Sequence, residues 1–95
     1  MTKLNFEQSQ IGNVVLSGVL DRTTVPSIVF NYSANNENIL NLDLSSLSKV
    51  DSAGLAWLID ILSRLQQQGI NLKLHNSPEQ LNKLMQLGQV SNLFE

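Results

Sequence analysis

Lys49-Val50-Asp51-Ser52-Ala53-Gly54-Leu55 is the stretch that decides how this chain folds. Before it, Ile39-Leu40-Asn41-Leu42-Asp43-Leu44 is a compact apolar run closed by the polar pair Ser45-Ser46, and it predicts a central strand over residues 39–44. After it, residues 52–68 predict the strongest helix of the chain: Leu55, Leu58, Ile59, Leu62 and Leu65 fall on one face, and Gly69 supplies a stop. Asp51 stands where an N-cap is needed, Ser52 and Ala53 fill the first turn, and Gly54 lets the helix pack closely. A strand that runs directly into a capped helix is the unit of an α/β sheet, and loops at the carboxyl ends of such strands are where these sheets place binding.

The flanking sequence extends this pattern in both directions. Asn13-Val14-Val15-Leu16-Ser17-Gly18-Val19-Leu20 is dense in β-branched and apolar residues, and Leu4-Asn5-Phe6 offers a shorter strand across the turn signal Ile11-Gly12-Asn13, so an opening hairpin is expected. In residues 22–33, Val25, Ile28, Val29 and Tyr32 recur at helical spacing, with Pro26 acceptable near the first turn, and Asn35-Asn36-Glu37-Asn38 reads as a loop. Beyond Gly69, Ile70, Leu72 and Leu74 alternate with Asn71, Lys73 and His75 as in a half-buried strand. Ser77-Pro78-Glu79-Gln80 then opens a last helix, with Ser77 as N-cap, Pro78 at the first helical position, Gln80 at the capping-box site, and Leu81, Leu84, Met85 and Gly88 turned inward. A short final element is expected within residues 90–94. The predicted order is β-β-α-β-α-β-α: an α/β fold with a mixed sheet of about four strands and helices packed on one face.

Composition narrows the function classes. Ninety-five residues suit one domain, 1–95, given that domains typically run to roughly 100–150 residues. A hydrophobic fraction of 42% and a charged fraction of 15% describe a globular chain. A net charge of −2 and a pI near 5.2 give no basic footprint for nucleic acid. The chain has no cysteine, which removes disulfides and thiolate metal sites and fits the cytosol. Residues 1–8 lack the apolar core of a secretory signal, and no apolar run approaches the length of a spanning helix, so any membrane role is expected to come through a partner.

Catalytic chemistry finds little to work with. The single histidine, His75, ends an alternating strand and reads as an edge residue. Asp21, Asp43, Asp51 and Asp60 are scattered singly, as caps, turns or solvated positions, and the five glycines form no phosphate loop. No enzyme, no cofactor and no metal are expected. A binding surface is more legible. At roughly 100° per residue, Trp57 falls on nearly the opposite side of the main helix from its leucine stripe, beside Ala53, Asp60, Arg64 and, at the margin, Ile61. An outward tryptophan is a common interface anchor. The expected partner-binding residues are Asp51, Ser52, Ala53, Gly54, Trp57, Ile61 and Arg64.

Three of these segments carry a resemblance. Gly18-Val19-Leu20-Asp21, Leu42-Asp43-Leu44-Ser45 and Val50-Asp51-Ser52-Ala53-Gly54-Leu55, extending to Ser77-Pro78 and Leu87-Gly88 with Leu93-Phe94, resemble the STAS domain, the fold of anti-anti-sigma factors. The resemblance implies a non-catalytic protein-binding module and two kinds of partner. In anti-anti-sigma factors the serine matching Ser52 is phosphorylated by an anti-sigma kinase, which switches partner binding off. In the Mla-type branch, a stand-alone STAS subunit docks on the cytoplasmic ATPase of an ABC transporter that moves phospholipids in Gram-negative envelopes, supports its assembly and activity, and so serves outer-membrane lipid asymmetry. The matching residue there is commonly threonine, so a serine does not separate the branches. The compact length, the opening strand and the hydrophobic face around Trp57 look closer to the Mla type. An ABC ATPase, and through it the membrane permease, is the expected partner, with an anti-sigma kinase as the alternative.

Overall fold

The computed structural model describes residues 4–10, 12–27 and 38–90. Four strands, β1 (Leu4–Gln10), β2 (Asn13–Leu20), β3 (Ile39–Val50) and β4 (Asn71–His75), form one sheet in the order β1-β2-β3-β4. The β1-β2 pair is the expected antiparallel hairpin, with Phe6 opposite Leu16, while β2-β3 and β3-β4 are parallel. Parallel neighbours need a crossover, and α1 (Ser52–Gln67) supplies it between β3 and β4. α1 packs on β3, β4 and α2 (Glu79–Leu87), and α2 packs on β3 as well, so both helices lie on one face of the sheet. Leu16, Leu20, Leu40, Leu42, Leu44, Leu58, Ile70 and Leu81 are fully buried between the layers.

β3 is twice as long as the run 39–44 predicts, because it continues past Ser45-Ser46 through two irregularities in its pairing with β2. The register against β2 moves from Val15 opposite Asp43 to Ser17 opposite Ser46, and again from Gly18 opposite Leu47 to Val19 opposite Lys49. Each step inserts one extra residue into β3, which is a β-bulge. At the first bulge the Ser45 N–H donates to Asp43 Oδ1 at 2.9 Å, and at the second Ser48 Oγ donates to the Gly18 carbonyl at 3.0 Å. The side chains of Asp43 and Ser48 therefore satisfy backbone groups that the bulges displace. The bulges also reset the alternation, so that Leu47 and Val50 reach the core face that Leu40, Leu42 and Leu44 already occupy.

α1 matches its prediction to within one residue. Asp51 is its N-cap, with Oδ1 accepting from the Gly54 N–H at 3.0 Å. It ends in a Schellman closure in which the Ile70 N–H donates to the Leu65 carbonyl at 2.8 Å and the Gly69 N–H to the Gln66 carbonyl at 3.0 Å. Gly69 takes φ +77° there, the left-handed conformation that makes glycine the stop.

Other expectations shift. α2 begins at Glu79 with Pro78 as its N-cap position, because Pro78 is still extended at ψ 153°; no side chain caps this end, so Ser77 does not act as N-cap. Gln80 leaves the capping-box role and its Oε1 instead accepts from the Val50 N–H at 3.3 Å, tying α2 to the end of β3. Leu81 and Met85 are buried and Leu84 half-buried, but Gly88 is an exposed C-cap instead of a core position. Of the helix expected over residues 22–33, the described part is a single 3-10 turn, Val25–Ser27. Residues 28–33, the loop residues 35–37 and the element expected beyond Val90 lie outside the described residues.

Candidate partner-binding site

The carboxyl ends of β2 and β3 lie side by side, with Leu20 opposite Val50, and both chains leave the sheet there through an aspartate. Asp51 uses both of its oxygens. While Oδ1 caps α1, Oδ2 accepts from the Arg22 backbone N–H at 3.1 Å, and the Asp51 N–H donates to the Leu20 carbonyl at 3.3 Å. One side chain thus fixes the first turn of α1 and the loop leaving β2 in a single frame. Gly54 makes this close approach feasible: a Cβ there would overlap the Leu20 carbonyl oxygen and lie 2.9 Å from Leu20 Cγ and 3.0 Å from Val50 Cγ2.

Asp21 organises the other side. It is 5% exposed, and its Oδ1 accepts from the Thr23 hydroxyl and from the backbone N–H groups of Thr23 at 2.9 Å and Thr24 at 3.3 Å. Thr24 Oγ1 accepts from the Asp21 N–H and donates to the Val19 carbonyl, both at 3.0 Å, while Lys49 Nζ stands 3.6 Å from Asp21 Oδ2. The Thr23 hydroxyl, with the Thr23 and Thr24 N–H groups and the Lys49 ammonium, holds the Asp21 carboxyl below its ordinary value of 3.8 against the opposing effect of burial. A carboxyl depressed on folding stabilises the fold above pH 3.8, and that contribution is lost as pH falls through its lower folded-state value. Asp21→Asn is accordingly expected to be less stable at pH 7 and to lose less stability than the parent between pH 7 and pH 3. Denaturant titrations of both proteins at the two pH values check this, and parallel losses would remove Asp21 from the acid response.

The sequence-derived residues separate on this frame. Ser52 is exposed at the first helical position, Ala53 is half-buried behind it, and Arg64 is exposed and paired with Asp60 at 3.0 Å. Gly54 is buried, and its lack of a side chain lets α1 approach the end of β2. Two expectations need correction. Ile61 is only 4% exposed and belongs to the core, and Trp57 is half-buried on the flank of α1, packed against the core and tilted against Phe6 of β1 with ring centroids 5.9 Å apart. The sheet covers this flank as well as the leucine stripe. The open stripe of α1 is instead Ser52, Ala56, Asp60, Ser63, Arg64 and Gln67. Sequence reading missed the Asp21-Arg22-Thr23-Thr24 loop, whose signal was an aspartate followed two and three positions later by threonines able to fold back on it.

His75 is exposed on the far face of the sheet, where its Nε2 meets Asn41 Oδ1 at 2.8 Å. Nearby, Asp43 is held below 3.8 first by the Ser45 N–H and then by the Asn76 amide, which donates at 3.1 Å. Among the described residues no three His, Cys, Asp or Glu side chains gather as a metal site, and no helix is long and apolar enough to cross a membrane.

This arrangement of mixed sheet and one-sided helices is the fold of an anti-sigma factor antagonist. The solved structure of the anti-sigma factor antagonist SpoIIAA in its unphosphorylated form is similar over 90% of this chain and 83% of that one, with a TM-score of 0.60 and 20% identity. The structure of the Bacillus cell fate determinant SpoIIAA in the phosphorylated form gives a TM-score of 0.63 and 18% identity over 95% of this chain and 86% of that one. At sequence level the family model described as "Mlab, STAS domain" matches residues 6–95, and the chain belongs to the STAS domain family. No curated protein matches it in sequence.

Proposed function

We propose that this chain is a non-catalytic STAS module, acting as one domain, that docks through the Ser52 end of α1 on the ATPase subunit of an ABC phospholipid transporter of the Mla type. It supports the assembly and activity of that ATPase and works in the cytoplasm, peripheral to the inner membrane through its partner. The match of an MlaB-described family model to residues 6–95 carries this reading. The ledge supports it physically: Asp51 and Gly54 pre-form the surface that displays Ser52 and Ala53, so little ordering remains to oppose docking. Purification of the tagged chain from its own host is expected to bring down an ABC ATPase and its permease, and ATPase turnover is expected to fall when the chain is omitted. Recovery of a kinase in place of the ATPase would overturn the reading.

A second reading has its own support. Ser52 presents an exposed hydroxyl at a helix N-terminus, and the fold is shared with SpoIIAA in both phosphorylated and unphosphorylated forms. A phosphate on Ser52 would add roughly −1.5 to −2 charge beside Asp51 and block a close interface. Mass spectrometry after incubation with a cognate anti-sigma kinase tests it: phosphate on Ser52 favours this reading, and phosphate retained by Ser52→Ala removes it.

A further inference from the structure

The ledge has a second exposed lip that the sequence did not single out. Its two acids are used internally: Asp21 is buried under the Thr23 and Thr24 donors, and Asp51 divides its oxygens between the Gly54 and Arg22 N–H groups. Its cations point outward. Lys49 has a side chain 61% exposed and only a 3.6 Å contact to Asp21. Arg22 is exposed, contributes only its backbone N–H to the frame, and has no carboxylate partner among the described residues. Arg64 and Lys83, by contrast, are each paired with an acid one helical turn away. In a chain of net charge −2, Arg22 therefore carries an exposed guanidinium, unpaired among the described residues, on a loop whose backbone is bonded to Asp51, the neighbour of Ser52, and is braced by Asp21, Thr23 and Thr24.

We propose that the partner surface meeting Ser52 is an acidic protein segment, and that Arg22 on the β2-exit loop is its principal electrostatic contact, with Lys49 beside it. This rests on the proposed docking through α1 and names the chemistry of the partner side. Arg22 fits the role because it is always charged and its backbone is already fixed through Asp51, so only the side chain has to be ordered on docking. A charge at the rim of an interface acts mainly on the association rate and on its salt dependence.

Association kinetics between the full chain and its co-purified ATPase subunit test the proposal at 50 and 300 mM salt. Arg22→Glu is expected to slow association by about tenfold at low salt, with dissociation little changed and the difference shrinking at high salt. Arg22→Lys should recover most of the rate, and melting curves of both variants should overlay that of the parent, since only the backbone of Arg22 is bonded. If Ser52→Arg abolishes association while Arg22→Glu binds like the parent, the acidic-partner proposal falls and the docking reading stands. If neither variant affects binding, both fall. Capture of the chain by anionic lipid vesicles, abolished by Arg22→Glu, would assign Arg22 to a membrane surface and overturn the proposal.

Discussion

Gly54→Ala is expected to destabilise the fold by about 2 kcal/mol net, seen as a fall in melting temperature of roughly 8–16 °C for a domain of this size. Two effects oppose each other at this position. Replacing glycine by alanine inside a helix ordinarily gains up to about 1 kcal/mol of helix propensity. Here the added methyl would overlap the Leu20 carbonyl oxygen, which is backbone at the end of a central strand and has no rotamer to yield. Relief requires α1 to move off β2, and that movement strains the Asp51 bonds to the Arg22 N–H and the Leu20 carbonyl, which tie the helix start to the end of β2. The loss of stability should therefore come with a loss of partner affinity. Gly54→Val should be worse again; a stabilised Gly54→Ala protein would show that the contact is looser than described.

Leu58→Ala is expected to cost about 3–4 kcal/mol, a large share of the roughly 5–15 kcal/mol that holds a small domain together. Leu58 is fully buried at the middle of α1, among leucines from the sheet that are themselves inaccessible, so the cavity left behind has rigid walls. Chemical denaturation gives the number directly: the midpoint should fall while the slope stays that of the parent. A cost below about 1 kcal/mol would mean that the helix layer collapses into the space, contrary to a core packed as described.

These two residues also show what the sequence could and could not convey. The periodicity of α1, its Asp51 cap and its Gly69 stop are local signals, and each stands where it was read. Of the expected β-β-α-β-α-β-α order, the four strands and the last two helices stand over the described residues because they announce themselves by local alternation and turns, while a 3-10 turn stands where the first helix was expected to begin. What escaped was decided by neighbours in space. Ser45-Ser46 means a strand end when read alone, but with β2 alongside the strand passes through it and on to Val50 by two bulges. Gln80 fits a capping box by spacing, yet a carbonyl-side amide 30 residues from Val50 finds a strand-end N–H to satisfy instead. Trp57 and Ile61 fall off the leucine stripe on a helical wheel, but a sheet that extends past the helix buries a second flank. The docking ledge was half legible for the same reason: Asp51, Ser52 and Gly54 are contiguous in sequence, whereas Asp21 and Arg22 join them only through the pairing of β2 with β3.

The central claim is that the Ser52 end of α1 is the surface through which this STAS domain meets its ATPase partner, and affinity measured with Ser52→Arg tests it most directly. Ser52 is exposed and its side chain takes no part in the Asp51 clamp, so the variant should melt like the parent. The predicted result is a loss of ATPase binding of at least tenfold, about 1.4 kcal/mol, with the fold intact. Parent-like affinity in a folded Ser52→Arg protein would contradict the account and move the interface to another face.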